Sequence, residues 1–357
     1  MSSDRRVDAH ALREFVVALF EARGLSREMS QVVGGGFLEA ELLGFRSHGV
    51  IKVVNNLKWL AGGETQADAE PVVIQERPAV ANWDAQALPG HWAMHQALQY
   101  AIPRARELGA FTMTLQRCQH VACLASTLLP AIEARMIVQM MVSSPDEAFV
   151  SPFGGSERLF SNNPIALTAP GPGYPERSAW PVLFDVSMAI TAGSQVARTA
   201  RLGQRLAEPA LKTRTGEVTD DPRALGQGGS VMPVGGVGHG HKGHAMTVMT
   251  EVLTQALAGY GRSESRPESE LNSVYLQVLD PAAFCPADAY DREICCLVER
   301  VQGSRPDNPD RPVRVPGQNA WSTRTRQLRE GVDLDPGVLA ALEPFADEAG
   351  LALPEQG

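Results

Sequence analysis

The sequence predicts an α/β protein in which helices from both ends of the chain form one layer beside an inserted mixed sheet. Three observations predict it. Apolar residues recur at helical spacing near both termini, short β-branched runs fill the middle, and turn residues punctuate them with no internal repeat or low-complexity tract. The expected division is residues 1–75 with 240–357 for a helical domain, and 76–239 for an inserted α/β domain.

Leu12, Phe15, Val16, Leu19 and Phe20 give a first helix that Gly24 ends. A second, from about Ser26 to Leu43, carries Val32, Val33, Phe37, Ala40 and Leu43, and opens at Gly44 into "FRSHGV". "PVVIQ" and "PAVANW" read as strands, and "HWAMHQALQYAIPRARELG" as a helix that Pro103 kinks or restarts. "AFTMTLQ" is a strand that delivers Arg117, Cys118, Gln119 and His120 to its end. A helix over Leu124–Arg135 and the strand "MIVQMMV" follow, then a long loop and the buried strand "PVLFDVSMA" with polar Asp185 and Ser187 near its end. Arg198–Gly229 reads as a polar surface excursion, Gly243–Leu257 as a helix with Ala245, Met249, Val252 and Ala256 on one face, and Ser263–Glu270 as a linker. "NSVYLQVLD" is a strand, "PADAYDREICCLVERVQG" a helix, and "RPVRVPGQ" leads into two short helices.

The 357 residues, 44% hydrophobic and 20% charged, suffice for two domains or for one large domain with an insertion. A formal charge of −9 argues against nucleic acid or an acidic membrane surface as a partner. No apolar run approaches the ~20 residues of a membrane helix, and the first residues lack a secretory apolar core. Five cysteines without framework spacing, Cys295 and Cys296 adjacent, suit reduced thiols in a cytoplasmic protein.

The stretch "GGVGHGHKGHAMTVMTEVLTQALAG" concentrates glycine, histidine and one lysine. Gly238, Gly240 and Gly243 satisfy G-x-G-x-x-G, but "SVMPVGGV" before them makes a poor central strand and no acidic residue follows at the end of a second one. Two readings stay open: a helix N-terminus with Lys242 facing an anionic ligand, or a glycine turn capping a helix. Neither His239, His241 and His244 nor Cys118, His120 and Cys123 has paired zinc spacing, so no metal is expected. His48, in "RSHG" just past a helix end, either carries a proton near neutral pH or satisfies helix carbonyls. His120 invites the same pair of readings, and Asp185 must be paired if buried, either to a histidine or, more commonly, in an N-cap or turn contact.

Taken in order, "AELLGFRSHGV", "QRCQHVACLA", "VSPFGGSERLFSNNPIAL", "PVLFDVSMAITAG", "GHGHKGHAMTVMTEVLTQALAG", "YLQVLDPAAF" and "VRVPGQ" resemble the type 2 malate/L-lactate dehydrogenase family, over roughly residues 8–345. That family includes ureidoglycolate and sulfolactate dehydrogenases, a diketogulonate reductase and piperideine-2-carboxylate reductases. The resemblance implies a nicotinamide-binding fold that is not a Rossmann fold, NAD(H) or NADP(H) as cofactor, and a homodimer. It implies His48 as proton carrier, with His120 a second candidate and Asp185 orienting or charge-balancing the histidine. Val186, Ser187, Met188, Ala189, Thr191, His241, Lys242, Pro316, Gly317 and Gln318 would then line the cofactor, and Ser47, Lys52 and Ser144 the substrate.

This chain departs from the family pattern at several positions. Lys52 stands where arginine is usual, Asn56 for tyrosine, Gln195 for lysine, Asn162 for threonine and Gln318 for glutamate, and both glycines beside His120 are lost. Lys52 keeps its charge without the bidentate fork that suits a carboxylate. The expectation is an oxidoreductase of a small 2-oxo/2-hydroxy acid or cyclic imino acid with an altered substrate. The competing expectations are a non-catalytic nucleotide- or metabolite-binding member of the same fold and a hydrolytic metalloenzyme.

Overall fold

The computed structural model describes residues 6–173, 180–263, 271–335, 337–355 and 357. The expected linker Ser263–Glu270 lies, past its first residue, outside the described residues.

The helices used below are α1 (Ala9–Ala22), α2 (Arg27–Leu42), α3 (Val53–Gly62), α4 (Gly90–Leu108), α5 (Gly193–Arg201), α6 (Gly236–Glu251), α7 (Ala287–Gln302), α8 (Gln318–Glu330) and α9 (Gly337–Ala349). Caps explain the first two starts: the Asp8 carboxylate accepts from the Ala11 amide at 2.8 Å, and the Ser26 hydroxyl from the Met29 amide at 3.2 Å. Pro103 sits inside α4 without ending it. The two ends of the chain meet, as Arg6–Val7 pairs antiparallel with Val332–Asp333.

Among the described residues, seven strands form the main sheet: β1 (Val72–Arg77), β2 (Val80–Asp84), β3 (Ala110–Cys118), β4 (Ile137–Ser143), β5 (Ile165–Ala169), β6 (Val182–Val186) and β7 (Asn272–Leu279). Their spatial order is β1-β2-β3-β7-β4-β5-β6. Only β2 and β3 run parallel, joined by the α4 crossover; every other neighbouring pair is antiparallel. The sheet crosses the division expected from sequence. It begins at Val72, and its central strand, β7, comes from the C-terminal segment assigned to the helical layer. The pattern identified β7 as a strand, but its two partners lie more than a hundred residues upstream.

One core joins the layers. Leu12, Phe20 and Phe37 from the helices, Leu115, Val138 and Leu276 from the sheet, and Val332 and Leu342 from the C-terminus belong to one buried cluster. Burying each large side chain contributes on the order of 1.5–3 kcal/mol. The polar excursion folds into a small sheet of Leu211–Lys212, Val218–Thr219 and Ser230–Val231.

Helix α6 corrects two expectations. It begins at Gly236, seven residues before the expected Gly243, capped by Gly235 in the left-handed region at φ 93°. The expected inner face is also outward: Ala245, Met249, Val252 and Ala256 are all exposed, Met249 at 51%. Gly240, Gly243, Thr247 and Thr250 form the buried side instead. Those glycines admit the protein's own chain: a Cβ at Gly243 would lie 2.3 Å from the Val234 carbonyl oxygen, and one at Gly240 3.0 Å from the Phe153 ring. Close packing thus offsets the helix cost of glycine, about 1 kcal/mol each.

Candidate active site

Helix α2 ends where its last apolar turn meets Gly44, whose φ of 89° only glycine adopts easily. The chain then makes two single 3-10 turns, Arg46–His48 and Val50–Lys52, before α3. Glu41, on the buried side of α2, holds this corner. Its Oε2 accepts the Val50 amide at 3.0 Å, and a Cβ at Gly49 would stand 2.2 Å from that oxygen. Burial pushes the Glu41 carboxyl up to about 7, against a lowering influence from Arg46. The corner thereby presents His48, with Ser47 Oγ 2.9 Å from His48 Nδ1. A hydroxyl donating to Nδ1 leaves the proton of the neutral ring on Nε2.

His120 follows β3 in a loop held at its base. Its amide donates to Gln119 Oε1 at 2.9 Å, while Gln119 Nε2 reaches Thr65 Oγ1 at 3.1 Å. The His120 ring lies near those of His48 and Trp59, each with ring centroids 6.3 Å away. Burial first, and Lys52 second, lower His48 to about 4 and His120 to about 3. Both imidazoles are therefore neutral at physiological pH.

Asp185, on β6 opposite Ala166, projects toward the same space. Its Oδ2 accepts the Ala125 amide at 3.0 Å and the Cys123 thiol at 3.7 Å, while burial raises its pKa. The pairing that burial demands is thus with the start of a short helix. The structure shows no hydrogen bond from Asp185 to His48 or His120.

A cavity of about 220 Å3 joins these groups: Ser47, His48, His120, Ser144, Asp185 and Ser187 all line it. Five of the sequence-predicted positions are therefore brought together with His48. Lys52, one turn beyond His48, is half-buried and close enough to act on both imidazoles, but does not line the cavity. Beyond Asp185, Val186 is exposed, Met188 and Ala189 are buried, and Thr191 is half-buried. The Met188 carbonyl accepts the Val234 amide at 2.9 Å, tying this segment to the entrance of α6.

Pro316 and Gly317 line a second depression of about 680 Å3, with Arg46, Arg314 and Asn319. Gly317, at φ 91°, is the cap of α8, and Gln318 opens that helix. Phe45 lines both spaces, so they adjoin. His241 and Lys242 line neither; both are exposed on the early turns of α6, with His241 edge-on to Phe153. Lys242 lies in the second turn and not at the helix start, because the helix begins earlier than the glycine pattern suggested.

Sequence reasoning missed Glu41, Glu147, Ser161 and Asn272 as site groups. Glu41 had a signal, since it stands four residues after Phe37 on an otherwise buried stripe. Asn272 did not, because only the β7 pairing brings it to the cavity, where its Nδ2 donates to Ser144 Oγ at 2.7 Å.

The profile of the malate/L-lactate dehydrogenase family matches residues 7–343. A malate dehydrogenase of Pyrococcus horikoshii is 26% identical over 354 residues, covering 97% of this chain and 96% of that one. A Delta(1)-pyrroline-2-carboxylate/Delta(1)-piperideine-2-carboxylate reductase of Pseudomonas putida is 30% identical over 254 residues, 71% of each chain. The crystal structure of delta1-piperideine-2-carboxylate reductase from Pseudomonas syringae superposes with a TM-score of 0.83 at 28% identity, covering 96% of this chain and 100% of that one.

Proposed function

The chain belongs to the malate/L-lactate dehydrogenase family, and on that premise we propose that it is an NAD(P)H-dependent oxidoreductase of a small 2-oxo/2-hydroxy acid or cyclic imino acid. The observation that carries this reading is the neutral His48 imidazole, its Nδ1 beside Ser47, in a small cavity shared with His120 and Asp185.

The residues fit a dinucleotide. The cavity is smaller than the ~300–1,000 Å3 of a drug-sized pocket, so it suits only the reacting ends of two ligands. The adjoining depression offers Arg46, Arg314 and the N-terminus of α8 to an anionic portion. A bound nicotinamide would supply the carbon that donates or accepts hydride. Binding without a Rossmann fold is part of the proposal. The largely antiparallel sheet supports it, as does the placement of Gly238, Gly240 and Gly243 inside a helix. The segment Val186–Thr191 would form the wall between the two ligands, with α6 and its His241 and Lys242 behind it.

His48 then moves the proton. In oxidation the neutral ring takes it from the substrate hydroxyl as hydride leaves the neighbouring carbon. In reduction the protonated ring gives it to the oxygen, and an anionic substrate entering the cavity favours that charged form. Asp185 balances the charge from across the cavity, while Ser144 and the charge of Lys52 orient the substrate.

Gln195 and Gln318 lack the charges that the family pattern suggests, the feature from which a non-catalytic reading would start. Both amides make local contacts, with Thr199 and with the Val315 amide. The groups around His48 remain, and they favour catalysis. The exposed apolar side of α6 supports a homodimer, and five free cysteines support a cytoplasmic setting. No helix among the described residues is long and apolar enough to cross a membrane.

The test is absorbance at the nicotinamide band with NADH and NADPH, against a panel of 2-oxo acids and cyclic imines. Turnover of at least one is expected. Cofactor binding without turnover of any would overturn the reading in favour of a binding protein.

A further inference from the structure

The chain leaving β4 reaches the cavity wall at Ser144, and its neighbours decide what that hydroxyl can do. The Val121 amide donates to Asn272 Oδ1 at 3.0 Å, which turns Asn272 Nδ2 toward Ser144 Oγ, 2.7 Å away. Ser144 Oγ therefore accepts from Asn272, and its own proton has no acceptor among the described residues. Since Ser144 lines the cavity, the hydroxyl is left to donate to a ligand oxygen.

A closed ring of polar groups holds Ser144 in place. Its amide donates to Ser161 Oγ at 2.9 Å, so Ser161 donates its proton onward, to Asn163 Oδ1. Asn163 Nδ2 donates to Glu251 Oε1 at 3.1 Å. Glu251, the last residue of α6, accepts a bidentate pair from Arg262, at 2.8 Å from Nε and 2.7 Å from Nη2. The third guanidinium nitrogen, Nη1, donates to the Pro145 carbonyl at 2.9 Å and closes the ring one residue past its start.

A second arm grips the residue on the other side. Helix α6 continues into a π-helical turn, Val252–Ala256, whose Thr254 and Gln255 are buried and both reach Ser143. Gln255 Nε2 donates to Ser143 Oγ at 2.9 Å, while its Oε1 accepts the Arg262 amide at 3.2 Å. Gly261 makes room for that oxygen, which a Cβ there would meet at 2.6 Å. Arg262 thus acts on Ser143 through its backbone and on Pro145 through its side chain, with Ser144 between them. The Arg262 and Glu251 side chains are only 28% and 14% exposed, so salt screens this pair less than a surface one. Neither residue lines the cavity. A lysine at 262 would keep the charge but not the fork that bonds Glu251 and Pro145 together.

We propose that Arg262, paired with Glu251, is a positioning residue for substrate: it holds the Ser143–Pro145 segment so that the Ser144 hydroxyl donates to an oxygen of the bound substrate. This deepens the oxidoreductase reading and rests on it. The effect falls on substrate and not on cofactor, because the depression beside Arg314 and Pro316 shares no residue with the ring.

The test is a double-mutant cycle on pyruvate and oxaloacetate reduction with NADH or NADPH, using Arg262→Met, Ser144→Ala and the double variant, each checked for native melting. Arg262→Met is expected to lower kcat/KM about tenfold, chiefly through KM, with the dinucleotide Kd within about threefold. Arg262→Lys should recover part of the loss. Ser144→Ala should lose a similar factor, and the double variant little beyond the larger single loss, because Arg262 acts through Ser144. Losses that multiply in the double variant overturn the proposal and leave the oxidoreductase reading intact. So does an unchanged kcat/KM in Arg262→Met, or an equal loss of dinucleotide affinity, which would show a general structural role. If Arg262→Met does not fold, Glu251→Gln replaces it in the cycle with the same outcomes, since it keeps an acceptor for Asn163 and loses the charge. Should the wild type reduce neither acid, the ring is judged by amide hydrogen exchange, which needs no substrate; turnover of nothing on the wider panel removes the oxidoreductase reading separately. The Ser144 and Glu147 amides should then exchange at least about tenfold faster in the variant, with those of β7 unchanged. Unchanged protection at Ser144, or an equal rise across β7, overturns the positioning role.

Discussion

The imidazoles of His48 and His120 lie nearly face to face, with ring centroids 6.3 Å apart and planes 24° from parallel. Both are neutral at physiological pH, and a charge on His48 further disfavours one on His120. The pair therefore holds at most one proton beyond neutrality over the working pH range. Ser47 beside Nδ1 orients the His48 ring, whereas Nδ1 of His120 is buried with no hydrogen-bond partner.

Replacing His48 by glutamine is accordingly expected to lower reduction of a 2-oxo acid by about 10²–10⁴ in kcat, the usual worth of a general acid. Cofactor affinity, followed by fluorescence titration, should stay within about threefold, since the depression lined by Arg314 and Pro316 is unchanged. A protonated cyclic imine brings its own proton, so its reduction should suffer less. Equal losses for both substrates would show that His48 acts by shaping the cavity and not by giving a proton.

The pH profile follows from the depressed pKa. His48 must be protonated to reduce a 2-oxo acid and neutral to oxidise a 2-hydroxy acid. Because burial sets its pKa at about 4, kcat/KM for reduction should fall about tenfold per pH unit above that value. Oxidation should rise to a plateau above it. Lys52→Met removes a nearby positive charge that disfavours the imidazolium, so it should move both limbs toward higher pH. Reduction independent of pH up to 8, with no shift in the variant, would place the proton on another group.

These features were unequally legible in the sequence. The helices at both ends were plain, because Asp8 and Ser26 are strong caps and Phe15, Leu19 and Phe37 keep helical period. The cavity was partly legible: His48, His120, Ser144 and Asp185 each stand at or just beyond the end of an element, where a loop presents them. Helix α6 was misread for a physical reason. Its glycines offer no side-chain periodicity, and apolar period does not reveal which face the fold covers. Asn272 and Asn162 became site residues only through strand pairing and loop closure between distant segments.

The exposed side of α6 and of the π-helical turn Val252–Ala256 that continues it gives a prediction about assembly. Met246, Met249, Val252 and Leu257 leave 47%, 51%, 43% and 57% of their surface accessible, a concentration of large apolar groups that a monomer seldom keeps uncovered. If a second copy covers this face, Met249→Glu should convert a dimer to a monomer in light scattering, with little change in the far-ultraviolet spectrum. A dimer of unchanged dissociation constant would move the interface elsewhere.

The depression beside Phe45 predicts salt-dependent cofactor binding. Arg46→Ala and Arg314→Ala should each raise the dinucleotide Kd about tenfold at low ionic strength, the scale of one charged hydrogen bond. The penalty should shrink near 1 M salt, where the screening length falls to ~3 Å. Arg46 also lies 3.7 Å from Asp333, so Arg314→Ala is the cleaner probe. A Kd insensitive to Arg314 at both salt concentrations would remove this depression from the cofactor's path.

Glu41 links the His48 corner to stability. Its carboxyl is raised from the ordinary value near 4.5 to about 7, so the folded state binds this proton more tightly than the unfolded state. The resulting stabilisation is fully present below the unfolded pKa, declines between about 4.5 and 7, and is gone above the folded pKa. At about 1.4 kcal/mol per pKa unit, the decline is on the order of 3 kcal/mol. Glu41→Gln retains an oxygen for the Val50 amide without a titrating proton. It should flatten the fall in melting temperature across that window and leave the variant more stable than wild type at pH 8. The Gly49→Ala variant should behave oppositely, because its Cβ would press on the Glu41 carboxylate that anchors the turn. It should lose stability at every pH and lower kcat by displacing His48. A wild-type melting curve that does not fall between pH 5 and 8, with Glu41→Gln no different from it, would show that the carboxyl titrates alike in the folded and unfolded chains.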